Sequence, residues 1–139
     1  MAGFKFRYRL CGDPPTVQVL KSKDTETLTA GDMANLESGE VDLAATGDTN
    51  LLGVILGPIG AAVDSTTDIR FIRDDDAVYG VDDANARLMG ATLDIAGTTG
   101  AQTVASSSNK EFVVVAPSSA TQETLVKFNV GRHHDLKAQ

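Results

Sequence analysis

The chain has 139 residues, of which 42% are hydrophobic and 22% charged, and its formal net charge is −7. This composition is typical of one folded globular domain, and it excludes a disordered chain, a membrane span of roughly 20 apolar residues and the basic surface that nucleic-acid phosphates require. Because Cys11 is the single cysteine, there is no internal disulfide, and we expect a protein made in a reducing cytoplasm with no membrane and no nucleic acid among its direct partners.

The N-terminal segment is basic, whereas the rest of the chain is acidic. Residues 1–23 contain five basic and one acidic side chain, a net charge of +4, and the remaining 116 residues contain seven basic and eighteen acidic ones, a net charge of −11. Residues 4–10 alternate apolar and basic side chains, which predicts a strand with one apolar and one charged face and lacks the apolar block of a secretory signal. We expect residues 1–23 to form a basic arm or edge strands, residues 24–131 a β-barrel domain, and residues 132–139 a polar tail.

Short strands separated by turn residues are predicted for most of the chain. Asp13-Pro14-Pro15 ends the first strand, because proline supplies no backbone donor. Clusters of Gly, Ser and Asp predict turns at residues 37–40 and 46–48, and the continuous apolar run 51–56 predicts a strand buried on both faces. Loops are predicted at residues 98–103 and 106–109. The predicted strands are residues 4–10, 16–20, 33–36, 41–43, 51–56, 69–72, 78–81, 112–116 and 125–130.

One stretch favours a helix. Residues 82–89 begin with two acidic side chains, which suit the positive end of a helix, and Gly90 follows where such a helix would end. It would have at most about two turns, too few to be stable without packing. The predicted fold class is therefore all-β: a small β-barrel or β-sandwich of short antiparallel strands, with at most one short helix and an extended N-terminal arm.

The densest acidic cluster is the run Asp74, Asp75 and Asp76. Counted from Asp74, the chain lacks the glycine at the sixth position and the glutamate at the twelfth that a calcium loop of the EF-hand type needs. We interpret the run as a solvated loop and keep its three carboxylates as weak metal candidates. No cofactor is expected.

Reactive residues do not form a recognisable catalytic motif. His133 and His134 are the only histidines, and adjacent residues of a strand point to opposite faces, so they cannot easily ligate one metal. The chain contains no nucleophile elbow, no His-Glu-x-x-His and no phosphate-binding glycine loop. With no Trp to form a sugar platform, a carboxylate pair for glycoside cleavage is also disfavoured. We therefore expect a protein that is not an enzyme.

The order of turns and strands resembles that of a viral protein family. The stretch AGDMANLESGEVDLAATGDTNLLGVIL, followed by DIRFIR and later by DDANARLMGATLDIAGTTGAQTV, resembles the small β-barrel domains of head-decoration, or cement, proteins of tailed bacteriophages. In that family a Gly-Asp turn leads a strand, a hairpin follows, and a Leu-Gly-Val element enters the barrel. The resemblance covers residues 28–130 and contains no catalytic motif.

The resemblance implies a structural protein of a virion. Decoration proteins bind the outside of the icosahedral shell, commonly as trimers at local threefold positions, and hold neighbouring major capsid subunits together. The implied partners are the major capsid protein and further copies of the chain, and the implied location is the outer capsid surface. A basic amphipathic strand before an acidic body suits contact by strand addition. The predicted capsid or inter-subunit contact residues are Phe4, Lys5, Phe6, Arg7, Tyr8 and Arg9.

Other functions stay open. A phage tail or baseplate subunit would share the same turn-rich β composition and differ only in its partner. From another class, a soluble β-barrel would bind a small ligand or a carbohydrate, with calcium at residues 74–76. A hydrolase is a more distant alternative, since it would need a deep pocket with a carboxylate or histidine of perturbed pKa.

Overall fold

A computed structural model describes residues 3–23, 26–57, 67–106, 110–119 and 123–129. Within these ranges the chain forms eleven β-strands and no helix, and no helix there is long and apolar enough to cross a membrane. The strands are β1 (Phe4–Arg9), β2 (Val17–Lys21), β3 (Met33–Glu37), β4 (Glu40–Leu43), β5 (Leu51–Gly57), β6 (Asp68–Ile72), β7 (Ala77–Asp82), β8 (Thr92–Ala96), β9 (Thr103–Ser106), β10 (Phe112–Val114) and β11 (Glu123–Phe128).

The strands form two antiparallel sheets that pack together. One sheet has six strands in the order β1-β7-β11-β10-β8-β9, and the other has five in the order β2-β6-β5-β3-β4. The β3–β4 hairpin turns at Ser38 and Gly39, whose φ angles of 51° and 80° match the type I′ turn that suits the twist of two paired strands. The all-β prediction and the turn predicted at residues 37–40 are confirmed.

Both sheets curl so that their outer strands approach each other. Ser22, just after β2, forms an isolated parallel bridge with Val41 on β4, and the Lys23 amide donates to the Val41 carbonyl at 2.8 Å. In the other sheet, the Gly3 amide donates to the Gln102 carbonyl at 2.9 Å, which joins the chain before β1 to the chain before β9. Sheet edges that meet in this way leave fewer unpaired backbone groups. The architecture is thus a two-sheet sandwich with barrel-like curvature.

The apolar interior consists of two clusters. The larger lies between the sheets and contains three stacked rings: Phe4 and Phe112 have centroids 5.2 Å apart, and Phe112 and Phe128 have centroids 5.8 Å apart. The smaller lies within the curl of the five-stranded sheet. Its fully buried members are Leu28, Ala34, Val41, Leu52, Ile55, Ile69 and Phe71.

Strand β5 contributes to both clusters. Leu51 and Val54 belong to the larger cluster, while Leu52 and Ile55 belong to the smaller one. The apolar run was predicted to be buried on both faces, and this is confirmed except at its last residue, since Leu56 is 41% exposed. β5 therefore holds the two clusters together.

The chain after β7 is not helical, so the helix predicted over residues 82–89 is wrong. The Asp83 carboxylate accepts from the Asn85 amide at 3.2 Å and from Nη2 of Arg87 at 3.2 Å. Arg87 and Ser118 exchange backbone hydrogen bonds of 3.1 and 3.0 Å in an isolated bridge. An acidic side chain that bonds to nearby backbone competes with helix formation, and here it forms a bend that delivers Arg87 to a strand-like contact.

The largest omissions from the predicted strands are β8 and β9. The loop predicted at residues 98–103 ends inside β9, and the loop predicted at 106–109 begins on its last residue, with residues 107–109 outside the described ranges. β10 ends at Val114, two residues before the end of its predicted strand. Val130, predicted to end the last strand, is also outside the described residues.

Candidate interaction surface

Strand β1 is the outer strand of the six-stranded sheet and pairs with β7. Phe4 is 1% exposed and lies in the larger apolar cluster, and Phe6 is half-buried against the same cluster. A register shift between Phe6 and Tyr8 accompanies the change to Tyr8, which is 44% exposed. This is the arrangement expected of an edge strand, and Tyr8 is the one aromatic ring of the three that is largely open to a partner. The contact role assigned to β1 stays a prediction.

Arg7 is paired within the chain. Its Nε and Nη2 donate to the two carboxylate oxygens of Glu123 on β11, at 2.6 and 2.5 Å. The hydrogen bond to Arg7 lowers the pKa of the Glu123 carboxyl, and the same bond raises the pKa of Arg7. Lys5 lies close enough to contribute to the lowering of the pKa of Glu123 and Asp82. The basic face of β1 therefore meets carboxylates of its own sheet.

Arg9 is also paired within the chain. Its Nε donates to Asp76 Oδ1 at 2.8 Å, and its Nη1 donates to the Pro14 carbonyl at 3.2 Å. The bond from Arg9, together with contacts from Cys11, lowers the pKa of the Asp76 carboxyl to about 2. This pair ties the end of β1 to the turn between β6 and β7.

Two carboxylates of the acidic run share Arg9, whose Nε lies 3.5 Å from Asp74 Oδ1 and 2.8 Å from Asp76 Oδ1. Asp74 is 6% exposed and accepts from the Thr16 amide at 2.7 Å, whereas Asp75 pairs with Arg73 at 3.0 Å. Among the residues that the structure describes, no group of three or more His, Cys, Asp or Glu side chains is placed to hold a metal ion. His133 and His134 lie outside the described residues. The run acts as a set of ties between β1, β2 and the β6–β7 turn.

Four apolar side chains are exposed on β1, just after it and on β2, the segments that the β6–β7 turn holds in place. Tyr8 is 44%, Leu10 56%, Val17 50% and Val19 48% exposed, and we call these four residues the apolar strip. The Leu10 amide donates to the Asp76 carbonyl, and the Thr16 amide, just before Val17, donates to the Asp74 carboxylate. The β6–β7 turn therefore holds both halves of the strip. Exposed apolar residues on an outer strand are a common mark of an interface. The alternation of apolar and polar residues in Val17-Gln18-Val19 is the sequence pattern that could have indicated the second half of the strip.

A polar groove lies beside the β3–β4 hairpin. Its volume is about 440 Å³, and it is lined by Asn35, Leu36, Glu37, Ser38, Gly47, Asp48, Thr49 and Asn50. Asn35 is 7% exposed, and its Oδ1 is buried with no hydrogen-bond partner among the described residues. We call this feature the Asn35 groove. No local sequence pattern indicates this groove, because it depends on how β3 meets the segment after β4.

Carboxylates surround the hairpin side of the groove. Asp42 lies opposite Asn35 in the β3–β4 register, so the two side chains share a face of the sheet. Burial, followed by hydrogen bonds to Glu37 and Glu26, raises the pKa of Asp42 to about 7. The bond from Asp42 and the ion pair with Lys23, 3.0 Å away, lower the pKa of Glu37. Near neutral pH, the Asp42 carboxyl is therefore partly protonated.

Three buried polar residues join distant loops. Asp32 accepts from the amides of Thr29 and Gly100, at 3.0 and 2.8 Å, and from the Thr99 hydroxyl. Gln102 accepts from the Met33 amide at 2.6 Å and donates to the Ala44 carbonyl at 2.8 Å. Glu111 accepts from the Gly47 and Ile95 amides at 3.1 and 3.3 Å. All three are 0% exposed, and each connects the first half of the chain to the second.

Comparison with known proteins adds no family: no protein-family model matches the chain, and no curated protein matches it.

Proposed function

We propose that the protein is a non-enzymatic structural protein of a phage virion, which binds the outer surface of the capsid and stabilises contacts between major capsid subunits. The proposal begins from the resemblance of residues 28–130 to capsid decoration proteins. The observation that carries it is the apolar strip, formed by Tyr8, Leu10, Val17 and Val19. The strip is the means by which the chain would dock on another protein.

The position of the strip supports docking by strand addition. β2 is the outer strand of its sheet and pairs with β6 through residues 17–21, and the bridge from its other edge to β4 lies just after the strand, at Ser22. Four of its five residues are exposed, so a partner strand can approach it without displacing core residues. Added strands gain main-chain hydrogen bonds, and the apolar side chains of an outer strand supply the buried area. Aromatic residues such as Tyr8 often carry much of the binding energy of an interface.

The three buried polar residues that join distant loops also support a structural role. Asp32, Gln102 and Glu111 each bind backbone groups, and so fix loops rather than present reactive groups to solvent. Hydrogen bonds from buried side chains to loop backbone rigidify a fold. A rigid small domain with an exposed apolar strip suits a protein that must hold its neighbours in place.

Sedimentation with capsids tests the proposal. The purified protein is mixed with capsids assembled from the major capsid protein encoded in the same genome, and the bound fraction is measured after centrifugation. We expect the Val17→Lys/Val19→Lys double variant to bind at least about tenfold more weakly, because two charges would be buried at the interface. The matched control is Leu88→Lys, since Leu88 is 78% exposed and lies outside the strip. Absence of wild-type binding would refute the function, and equal binding of the double variant would refute the role of the strip.

The proposed assembly is a homotrimer. Light scattering at physiological salt measures the mass of the free protein, and a stable species of three chain masses is the expected result. If a trimer forms through the strip, the Val17→Lys/Val19→Lys variant should be a monomer, since buried unpaired charges oppose association. A free trimer that persists in this variant would place the strip away from the threefold contact.

A further inference from the structure

The connection between β1 and β2 returns the chain to the turn that it has just left. The Cys11 amide donates to Asp76 Oδ2 at 3.2 Å, and the Thr16 amide donates to Asp74 Oδ2 at 2.7 Å. Both ends of the connection are therefore held at the β6–β7 turn, although β1 and β2 belong to different sheets. Only residues 12–15 lie between the two anchors, and we call these residues the hinge.

The composition of the hinge favours an extended chain. Proline fixes φ near −65°, and a residue before proline is restricted to extended conformations, so Asp13, Pro14 and Pro15 are all biased away from a reversal. The return depends on Gly12, whose φ is +83° and whose amide donates to the Arg9 carbonyl at 2.9 Å. Short hinges that work against their own folded-back conformation favour the exchange of a terminal element between copies.

Straightening the hinge disturbs no core residue. Residues 10–19 are all exposed. The bonds that straightening breaks, from the Gly12 amide to Arg9 and from Arg9 Nη1 to the Pro14 carbonyl, lie at the surface, where water replaces them. Leu10, 56% exposed at the start of this stretch, gains apolar cover when the hinge runs between two molecules.

The contacts of β1 are specific, and all of them are made to later parts of the chain. Phe4 stacks on Phe112 with ring centroids 5.2 Å apart, Arg7 bonds to Glu123, and β1 pairs with β7 from Phe4 to Arg9. An identical strand from another copy makes identical contacts, which is why exchange is a low-cost route to an oligomer. The balance between the closed and exchanged forms is therefore set by the hinge and by the protein concentration.

We propose that copies of the chain exchange β1, so that residues 3–11 of one copy pair with β7 of a neighbouring copy while the hinge extends between them. From Cys11 to Thr16 an extended chain reaches at most about 18 Å, and the β6–β7 turns of neighbours must therefore lie close together. Repeated around a closed ring, the exchange joins the three copies of the proposed homotrimer and leaves every β1 paired. It rests on the self-association in the proposed function and is independent of capsid binding.

Isotope-filtered NMR of the full chain tests the exchange. Equal amounts of isotope-labelled and unlabelled protein are unfolded in urea, mixed and refolded together at high concentration, and the oligomer is isolated by size exclusion. We expect filtered NOEs between the Phe4 ring of one copy and the Phe112 ring of another, because these rings are stacked. The monomer fraction of the same sample is the control and should lack them. An oligomer without these NOEs overturns the exchange and leaves the homotrimer standing, whereas a chain that is monomeric at every concentration overturns both.

Hinge variants should shift the balance in opposite directions. Gly12→Val should raise the oligomer fraction about tenfold, because a β-branched residue opposes a positive φ, while an added Cβ there meets nothing within 4 Å. Gly47→Val is the matched control, since Gly47 has a φ of +93° and equally open surroundings in another turn. Pro14→Ala/Pro15→Ala should lower the oligomer fraction several-fold, because the hinge then folds back more easily.

These variants separate exchange from association through surface contacts. None of them replaces a residue of β1, of β7 or of the apolar strip, so an oligomer held by surface contacts alone should respond to none of them. Equal oligomer fractions in the wild type and in both hinge variants, measured by light scattering at matched concentrations, would contradict the proposal. An increase in Gly47→Val as large as that in Gly12→Val would contradict it as well.

Discussion

The guanidinium of Arg7 on β1 reaches across β7 to the carboxylate of Glu123 on β11. The strand between them passes under the pair at Gly80, where an added Cβ would lie only 1.8 Å from Glu123 Oε1. Gly80 therefore provides the space in which this ion pair forms. The Arg7–Glu123 ion pair thus links three neighbouring strands on the outer face of the sheet, and it can do so because Gly80 has no side chain.

Two glycines with similarly close neighbours should respond differently to substitution. At Gly53 an added Cβ would lie 1.6 Å from the Ile72 carbonyl oxygen, a backbone atom of β6, whereas at Gly80 the obstacle is the flexible end of Glu123. We expect Gly53→Ala to lower the free energy of unfolding by about 3 kcal/mol or more, since strands must separate. Gly80→Ala should stay within about 1 kcal/mol, because only an exposed ion pair is lost. Urea denaturation compares the two, and equal losses would show that the backbone at Gly53 yields easily.

The buried ring of Phe4 predicts that β1 is required for folding. Phe4→Ala should cost about 3–5 kcal/mol, because a buried phenyl ring is replaced by a cavity beside Phe112. Tyr8→Ala, on the same strand but 44% exposed, is the matched control and should stay within about 0.5 kcal/mol. Thermal denaturation measures both. Removal of residues 1–12 should unfold the chain, and a folded truncated protein would show that the larger cluster is stable without Phe4.

Gln102 should be required for the contact between the two halves of the chain. Gln102→Leu leaves the Met33 amide and the Ala44 carbonyl buried without their partner, and we expect a loss of about 3 kcal/mol. The control is Gln18→Leu on the exposed β2, which should stay within about 0.5 kcal/mol. Hydrogen exchange at the Met33 amide provides a local readout. Unchanged protection of that amide in Gln102→Leu would mean that water replaces the side chain.

Asp42 should make stability fall as pH rises. Its pKa is about 7 in the folded chain and about 3.9 in an unfolded one, so between these values the folded state binds more protons. Stability is then highest below pH 4 with respect to this group and is lost as pH rises toward 7. Asp42→Asn should remove this slope and stabilise the chain at pH 8 by about 1 kcal/mol, after allowance for solvent screening. Identical pH dependence of the two proteins from pH 4 to 8 would contradict the prediction.

The sequence predicted best those features that depend on short segments. The uninterrupted apolar residues of β5 indicated burial on both faces, and the Ser38-Gly39 pair indicated a hairpin. The helix at residues 82–89 was wrong because its acidic start, Asp83, bonds to nearby backbone instead of capping a helix. β8 and β9 were not predicted as strands, since Thr and Gly around them also suit loops. A local sequence pattern does not distinguish these two strands from loops, or this bend from a helix.

The candidate sites depended even more on long-range pairing. Alternation along β1 correctly indicated a strand with an inward apolar side at Phe4 and Phe6, but Tyr8 is exposed beyond the register shift. The partners of Arg7 and Arg9 lie 116 and 67 residues away in the sequence. The unpaired oxygen of Asn35 likewise arises only where β3 meets the segment after β4. Hydrophobic periodicity describes which face of a strand is buried, and it contains no information on which charges or amides will meet.

The pairing of β1 with β7 and of β2 with β6 constrains how the chain folds during synthesis. Phe4 pairs with Val81 and Val17 pairs with Ile72, so during synthesis β1 and β2 lack their partner strands until β7 and β6, respectively, have left the ribosome. Contacts between residues so distant in sequence slow folding. The exposed valines of β2 therefore lack their partner strand in the nascent chain until β6 follows, and early association between copies would begin there.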